Sequence, residues 1–254
     1  MKNLRALITG ASKGIGAEFA RQLSWKGYDC VLIARGKEKL EETAEELRKV
    51  YGADPETLIA DLSTYGGIEK VEDYIKGLDS LDMLVNNAGF GIPKKFQDSP
   101  LNRLQDMIKL HVVAPTRLCY AAIPKMKQGS IINVASVAPL VNSAGSALYS
   151  PTKYYLISFS KILQKDLGEK VKVQALCPGF THTSFHDTEE FGDWDVNIPR
   201  FLWTDAKYVV EKSLKSLEKD KVVCIPGFHN KIVISLVNNR LLSSLLWRYY
   251  KKSK

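Results

Sequence analysis

The chain has 254 residues, 45% hydrophobic and 25% charged, the balance of a globular domain with a substantial core, which excludes a disordered or disulfide-dependent chain. Its net charge of +8 is spread over helix surfaces and the basic stretch "RYYKKSK" and is not gathered in one recognition helix, so nucleic acid is not an expected partner. The four cysteines, Cys30, Cys119, Cys177 and Cys224, form no CxxC pair, and no apolar run reaches the roughly 18 residues of a membrane span, so a reduced, cytoplasmic protein is expected.

Strand-length apolar runs alternate with amphipathic stretches along the chain. The runs are "LRALIT", "CVLIA", "TLIA", "MLVN", "SIINVAS", "VKVQALC" and "KVVCIP". Helical periodicity falls between them, near residues 14–26, 37–51, 65–77, 100–127, 147–168 and 205–219. This order predicts an α/β fold, a doubly wound parallel sheet of about seven strands with helices on both faces. No linker, repeat or low-complexity tract interrupts it, so residues 1–254 are expected to form one domain.

After the first strand, "LITGASKGIG" sets Thr9 before a TGxxxGxG turn containing Gly10, Gly14 and Gly16. Such a turn lets backbone approach a pyrophosphate and aims helix N-terminal amides at it, with Ser12, Lys13 and Ile15 alongside. The second strand ends in Ala34 and Arg35, where an enzyme choosing the unphosphorylated dinucleotide would place a carboxylate for the ribose 2′-OH. A guanidinium here, with Lys13 as a second clamp, favours the 2′-phosphate of NADP(H) over NAD(H). The plainer alternative makes both residues solvated surface charges.

Further on, "ALYSPTKYY" holds Tyr149 and Lys153 four residues apart with Pro151 between them. Proline is tolerated only in a first helical turn, which predicts a helix starting close to Tyr149. The remaining landmarks follow in order: "ADL" with Asp61 and Leu62, "NNAG" with Asn87, Ala88 and Gly89, "NVAS" ending in Ser136, and "PGFTHT" with Pro178, Gly179, Thr181 and Thr183. With these motifs the chain resembles the short-chain dehydrogenase/reductase family from end to end. The resemblance implies a Rossmann-type domain in which Asp61 holds the adenine, Thr181 and Thr183 lie near the nicotinamide carboxamide, and Lys153 holds the nicotinamide ribose.

Hydride transfer to a carbonyl makes an alkoxide that needs a proton, and a phenol near pKa 10 supplies it slowly unless the phenolate is stabilised. Lys153, one turn from Tyr149 on the same helix face, is expected to lower the phenol's pKa together with the cofactor's cationic ring. Ser136, at a strand's carboxyl end, can donate to the developing oxyanion. The implied activity interconverts a carbonyl and an alcohol, with Tyr149 as general acid in reduction and general base in oxidation. The different-class alternative is a dinucleotide-binding regulator or scaffold that keeps the fold and has lost turnover.

The family pattern expects asparagine where "IKLHVVAPTRL" has His111, a position that helps hold a relay water through its carbonyl. Pro115, four residues on, cannot donate a helical hydrogen bond to that carbonyl. The imidazole itself can titrate near neutrality and move protons, or simply pack. Residues 178–204 read as a substrate loop, with Phe180, Phe185, Phe191, Trp194, Phe201 and Trp203 suiting an apolar substrate or a subunit contact. Residues 230–254 read as a helical extension whose apolar and basic residues suit packing on the domain, a second subunit or a membrane surface. A homodimer or homotetramer is expected from the resemblance.

Overall fold

Side chains that alternate between two buried faces explain the layering of the protein, a computed structural model that describes residues 4–141, 147–185 and 199–238. Seven strands form one parallel sheet: β1 (Leu4–Thr9), β2 (Tyr28–Ala34), β3 (Glu56–Ile59), β4 (Met83–Asn86), β5 (Gly129–Val134), β6 (Val171–Leu176) and β9 (Val223–Cys224), in the order β3-β2-β1-β4-β5-β6-β9. Two short strands, β7 (Thr181–His182) and β8 (Thr204–Asp205), pair separately.

Neighbours in a strand face opposite layers. Ile8, Leu32, Val85 and Ile132 point to one face, covered by Phe19 and Leu23 of α1 (Gly14–Trp25), Leu40 and Leu47 of α2 (Lys37–Tyr51), and Val210 and Leu214 of α7 (Ala206–Leu217). Leu7, Val31, Leu84 and Ile131 point to the other, under Ile68 and Ile75 of α3 (Tyr65–Gly77), Leu118 of α5 (Ala114–Ala122), and Phe159 and Leu163 of α6 (Tyr149–Leu167). Each fully buried Leu, Ile or Phe contributes about 2 kcal/mol relative to exposure. The four cysteines are free and buried, as expected.

Two local readings needed revision. The periodic stretch over residues 100–127 is not one helix: α4 (Leu101–Ile108) passes through a π-helical turn at Lys109–Val113 into α5, and a 3-10 turn follows at Ile123–Lys125. Pro115 and Pro124 lack the amides a continuous α-helix would need, so the hydrogen-bond spacing changes around them. Part of the 178–204 segment is also not loop, because β7 and β8 are too short for alternation to reveal. Phe191, Trp194 and residues 239–254 lie outside the described residues. Of the extension, α8 (Phe228–Asn238) is described. No helix among the described residues is long and apolar enough to cross a membrane.

Candidate active site

The order of the sheet reverses between β1 and β4, so their following turns diverge and leave a crevice at the strands' carboxyl ends. A cleft of about 450 Å³ occupies it. Gly10, Ser12, Lys13, Gly14, Ile15, Arg35, Asp61, Leu62, Asn87, Ala88, Gly89, Ser136, Tyr149, Lys153, Pro178, Gly179, Thr181 and Thr183 all line this one cleft. Of the sequence-predicted site residues, Gly16 and His111 lie behind its wall.

The glycine turn has the shape a phosphate cradle requires. Gly10 adopts φ +66°, and a Cβ there would sit 2.8 Å from Asn87 Nδ2. A Cβ on Gly16 would lie 2.2 Å from the Gly10 carbonyl oxygen, so the helix can approach the turn this closely only without a side chain. No side chain caps α1 and no acidic residue stands in its first turn, which leaves its leading amides available to an anion. Asn87 fastens the rim by donating to the Thr9 and Gly10 carbonyls at 2.9 and 3.2 Å. Thr9, buried beneath, accepts from the Asn87 and Ala88 amides and donates to the Val85 carbonyl.

The far end of the cleft fits the adenosine half of a dinucleotide. Arg35 is exposed and forms no ion pair among the described residues. Lys13 reaches across to the Ser184 carbonyl at 3.3 Å. Asp61 Oδ1 accepts from the Ser63 amide and hydroxyl at 2.9 and 2.7 Å, which fixes the carboxylate at the cleft edge. The residues present therefore fit a dinucleotide, with uncapped amides at the glycine turn and an unpaired guanidinium farther along the cleft.

At the other end α6 begins at Tyr149, so Pro151 sits in its first turn, where its missing amide costs nothing. The helix is set against the sheet by a buried polar chain absent from the sequence reading: Asn86 Nδ2 donates to Asn133 Oδ1 at 2.8 Å, and Asn133 Nδ2 donates to Ser160 Oγ at 3.0 Å. Those links join β4, β5 and α6 and so fix where Tyr149 and Lys153 fall. Ser136 lines the cleft with Tyr149 and favours the ionised form of its phenol. The Ser136 oxygen accepts from the Ala138 amide at 3.1 Å, leaving the hydroxyl hydrogen to donate.

The electrostatics depart from expectation. Lys153 is buried and donates to the Val134 carbonyl at 2.8 Å, with its nitrogen 5.8 Å from the Tyr149 ring centre. Burial pulls the ammonium down to about 8. Burial also pushes the phenol up to about 12, against the opposing influence of Ser136. Desolvation dominates and Lys153 contributes no lowering, so the protein's own groups hold Tyr149 protonated at neutral pH.

For His111 the packing alternative prevails. The residue is 1% exposed; Nε2 accepts from the Phe90 amide at 3.2 Å, so Nδ1 carries the proton and donates to Thr152 Oγ1 at 3.0 Å. Thr152 in turn donates to the Tyr149 carbonyl at 2.8 Å. Burial, and next the Lys153 charge, hold the imidazole well below 6.5. The reading in which it titrates near neutrality is therefore replaced by a neutral ring that braces the first turn of α6. Thr152, the Phe90 amide and the Val134 carbonyl carry no motif signal and were invisible in the sequence.

Phe90, Ile92, Leu110, Val141, Phe180 and Phe185 also line the cleft, the first three in one apolar cluster with Tyr149. The Phe185 ring stands 6.3 Å from that of Tyr149. Apolar walls of this kind suit an apolar group next to the reacting carbon.

The chain matches the short chain dehydrogenase family over residues 5–192. It is 35% identical over 191 residues to a very-long-chain 3-oxoacyl-CoA reductase of Coprinopsis cinerea, covering 72% of this chain and 55% of that protein. It is 30% identical over 193 residues to the human inactive hydroxysteroid dehydrogenase-like protein 1, covering 73% and 58%. The chain thus spans little more than half the length of these two relatives. Among solved structures, a short-chain dehydrogenase from Sphingobium yanoikuyae in complex with NADPH is 31% identical, with a TM-score of 0.83 over 89% of each chain.

Proposed function

Because the chain belongs to the short-chain dehydrogenase family, we propose that it is an NADP(H)-dependent oxidoreductase interconverting a carbonyl and a secondary alcohol, with an apolar or acyl-type substrate. The observation that carries this reading is the convergence of Ser136, Tyr149 and buried Lys153 on the same cleft as the glycine turn. Gly10, Gly14 and the α1 amides would hold the pyrophosphate, Arg35 and Lys13 the 2′-phosphate, and Lys153 the nicotinamide ribose. The cofactor supplies the hydride, and its oxidised ring a positive charge.

Ser136 donates to the carbonyl oxygen and stabilises charge developing there. Tyr149, protonated at neutral pH, delivers its proton to the alkoxide oxygen. In the reverse direction the phenol must first lose that proton against a pKa of about 12, so alcohol oxidation is favoured by rising pH. The acyl character of the substrate draws on the apolar walls and on the named activity of the Coprinopsis relative. Exposed Tyr120, Tyr154 and Ile162 on α5 and α6 support a homo-oligomer.

Following NADPH absorbance across ketones, aldehydes and acyl thioesters tests the proposal. The likeness to a relative named inactive favours a second reading, a dinucleotide-binding regulator; tight NADPH binding without oxidation by any of these carbonyls would support it. Arg35→Ala is expected to lower the preference for NADPH over NADH at least tenfold, since it removes a charge-assisted bidentate contact worth about 1.5–3 kcal/mol. Unchanged relative dissociation constants would refute the clamp.

His111 is proposed as a positioning residue acting through Thr152. The pH-rate limbs of His111→Asn should coincide with those of the parent. Its folded pKa is depressed, so the parent should lose stability as pH falls below 6.5, where the unfolded chain takes up a proton that the folded chain refuses. Urea titrations of His111→Asn should lack that slope; a shifted kinetic limb would instead return the imidazole to proton transfer.

A further inference from the structure

Away from the cleft, α8 presents an apolar row to solvent. Phe228, Ile232 and Leu236 are 76%, 42% and 37% exposed. Four-residue spacing puts them on one helix face, flanked by exposed Lys231. The helix is anchored from its buried side, where Asn230 donates to the Pro226 carbonyl at 2.7 Å and packs against Gly179. The exposed row therefore belongs to an element attached to the domain.

The sequence from Phe228 onward contains no Asp or Glu and six cations: Lys231, Arg240, Arg248, Lys251, Lys252 and Lys254. These residues carry six of the chain's eight net positive charges. Trp247, Tyr249 and Tyr250 are interleaved with them, and amphipathic aromatics of this kind favour the level of lipid headgroups. A second copy of the segment would bring like charges together at a twofold contact, which opposes pairing. An anionic bilayer satisfies both properties, accepting the apolar row and attracting the cations.

We propose that the segment from Phe228 onward docks the protein peripherally on an anionic lipid surface. The proposed contact is interfacial, the apolar row of α8 lying along the surface with the cations beside it. It is independent of the oxidoreductase reading.

Flotation of the full chain with vesicles tests it, using phosphatidylcholine alone and phosphatidylcholine with about 30% phosphatidylserine, at about 0.1 M and about 0.5 M salt. The protein should float with the anionic vesicles, stay behind with the neutral ones, and be released by the higher salt. Replacing Lys251 and Lys252 with Gln should weaken partition at least tenfold, since each cation contributes about fivefold. Phe228→Ser with Ile232→Ser should weaken it further without shifting the melting temperature, both side chains being exposed. Absence of flotation with anionic vesicles overturns the proposal. So does a Ser variant that floats like the parent but sediments as a smaller species, which would assign the row to a second copy.

Discussion

Tyr149→Phe is expected to lower NADPH-dependent carbonyl reduction by about 10²- to 10⁴-fold, the contribution of a positioned general acid, while dinucleotide binding stays within about twofold. The ring remains, with its edge contact to His111 at 5.7 Å and its contact to Phe185 at 6.3 Å, so packing of the α6 entrance is preserved and the hydroxyl alone is lost. Single-turnover rates, with NADPH affinity measured separately by fluorescence, distinguish lost chemistry from lost binding. Undiminished turnover in this variant would remove Tyr149 from the mechanism and with it the proposed activity. In the parent, reduction should be insensitive to pH through neutrality because burial holds the phenol protonated, whereas oxidation should rise into the alkaline range.

Lys153→Met should move activity and pH-dependent stability in different ways. Activity is expected to fall roughly a hundredfold or more, because the variant loses the ammonium beside the phenol. Stability follows from the depressed pKa of the buried ammonium. The folded value of about 8 lies below the ordinary 10.5, so burial of the charge costs about 3 kcal/mol below pH 8. Between pH 8 and 10.5 the unfolded chain holds the proton and the folded chain does not, and parent stability should climb with pH through that window. In Lys153→Met the climb should vanish. At pH 7 the two proteins should differ less, since the variant leaves the Val134 carbonyl without its donor, at a cost of about 1–3 kcal/mol. Chemical denaturation across this range is the measurement; an identical slope in both proteins would show that Lys153 is not desolvated.

The brace at His111 shows why a motif identifies a site more readily than its electrostatics. TGxxxGxG, the Ser136 strand end and the Tyr149–Lys153 pair were legible because each is local, with its meaning set by spacing along one turn or one helix. The depressed ammonium and the raised phenol arise instead from burial by segments distant in the chain, which at Tyr149 outweighs the opposing influence of Ser136. Spacing located the pair, but desolvation set the sign of its perturbation, and desolvation is a property of the packed cleft.

Hydrophobic period, glycine placement and Pro151 determined the doubly wound sheet, the glycine turn and the start of α6 at Tyr149, because backbone sterics and burial act over a few neighbouring residues. Tertiary structure alone decided that His111 is a neutral strut between Phe90 and Thr152, that Asn86, Asn133 and Ser160 fix α6 on the sheet, and that 178–204 contains paired strands. Each of these depends on hydrogen bonds between segments far apart in the chain. Their geometry exists only after the layers have closed and excluded water.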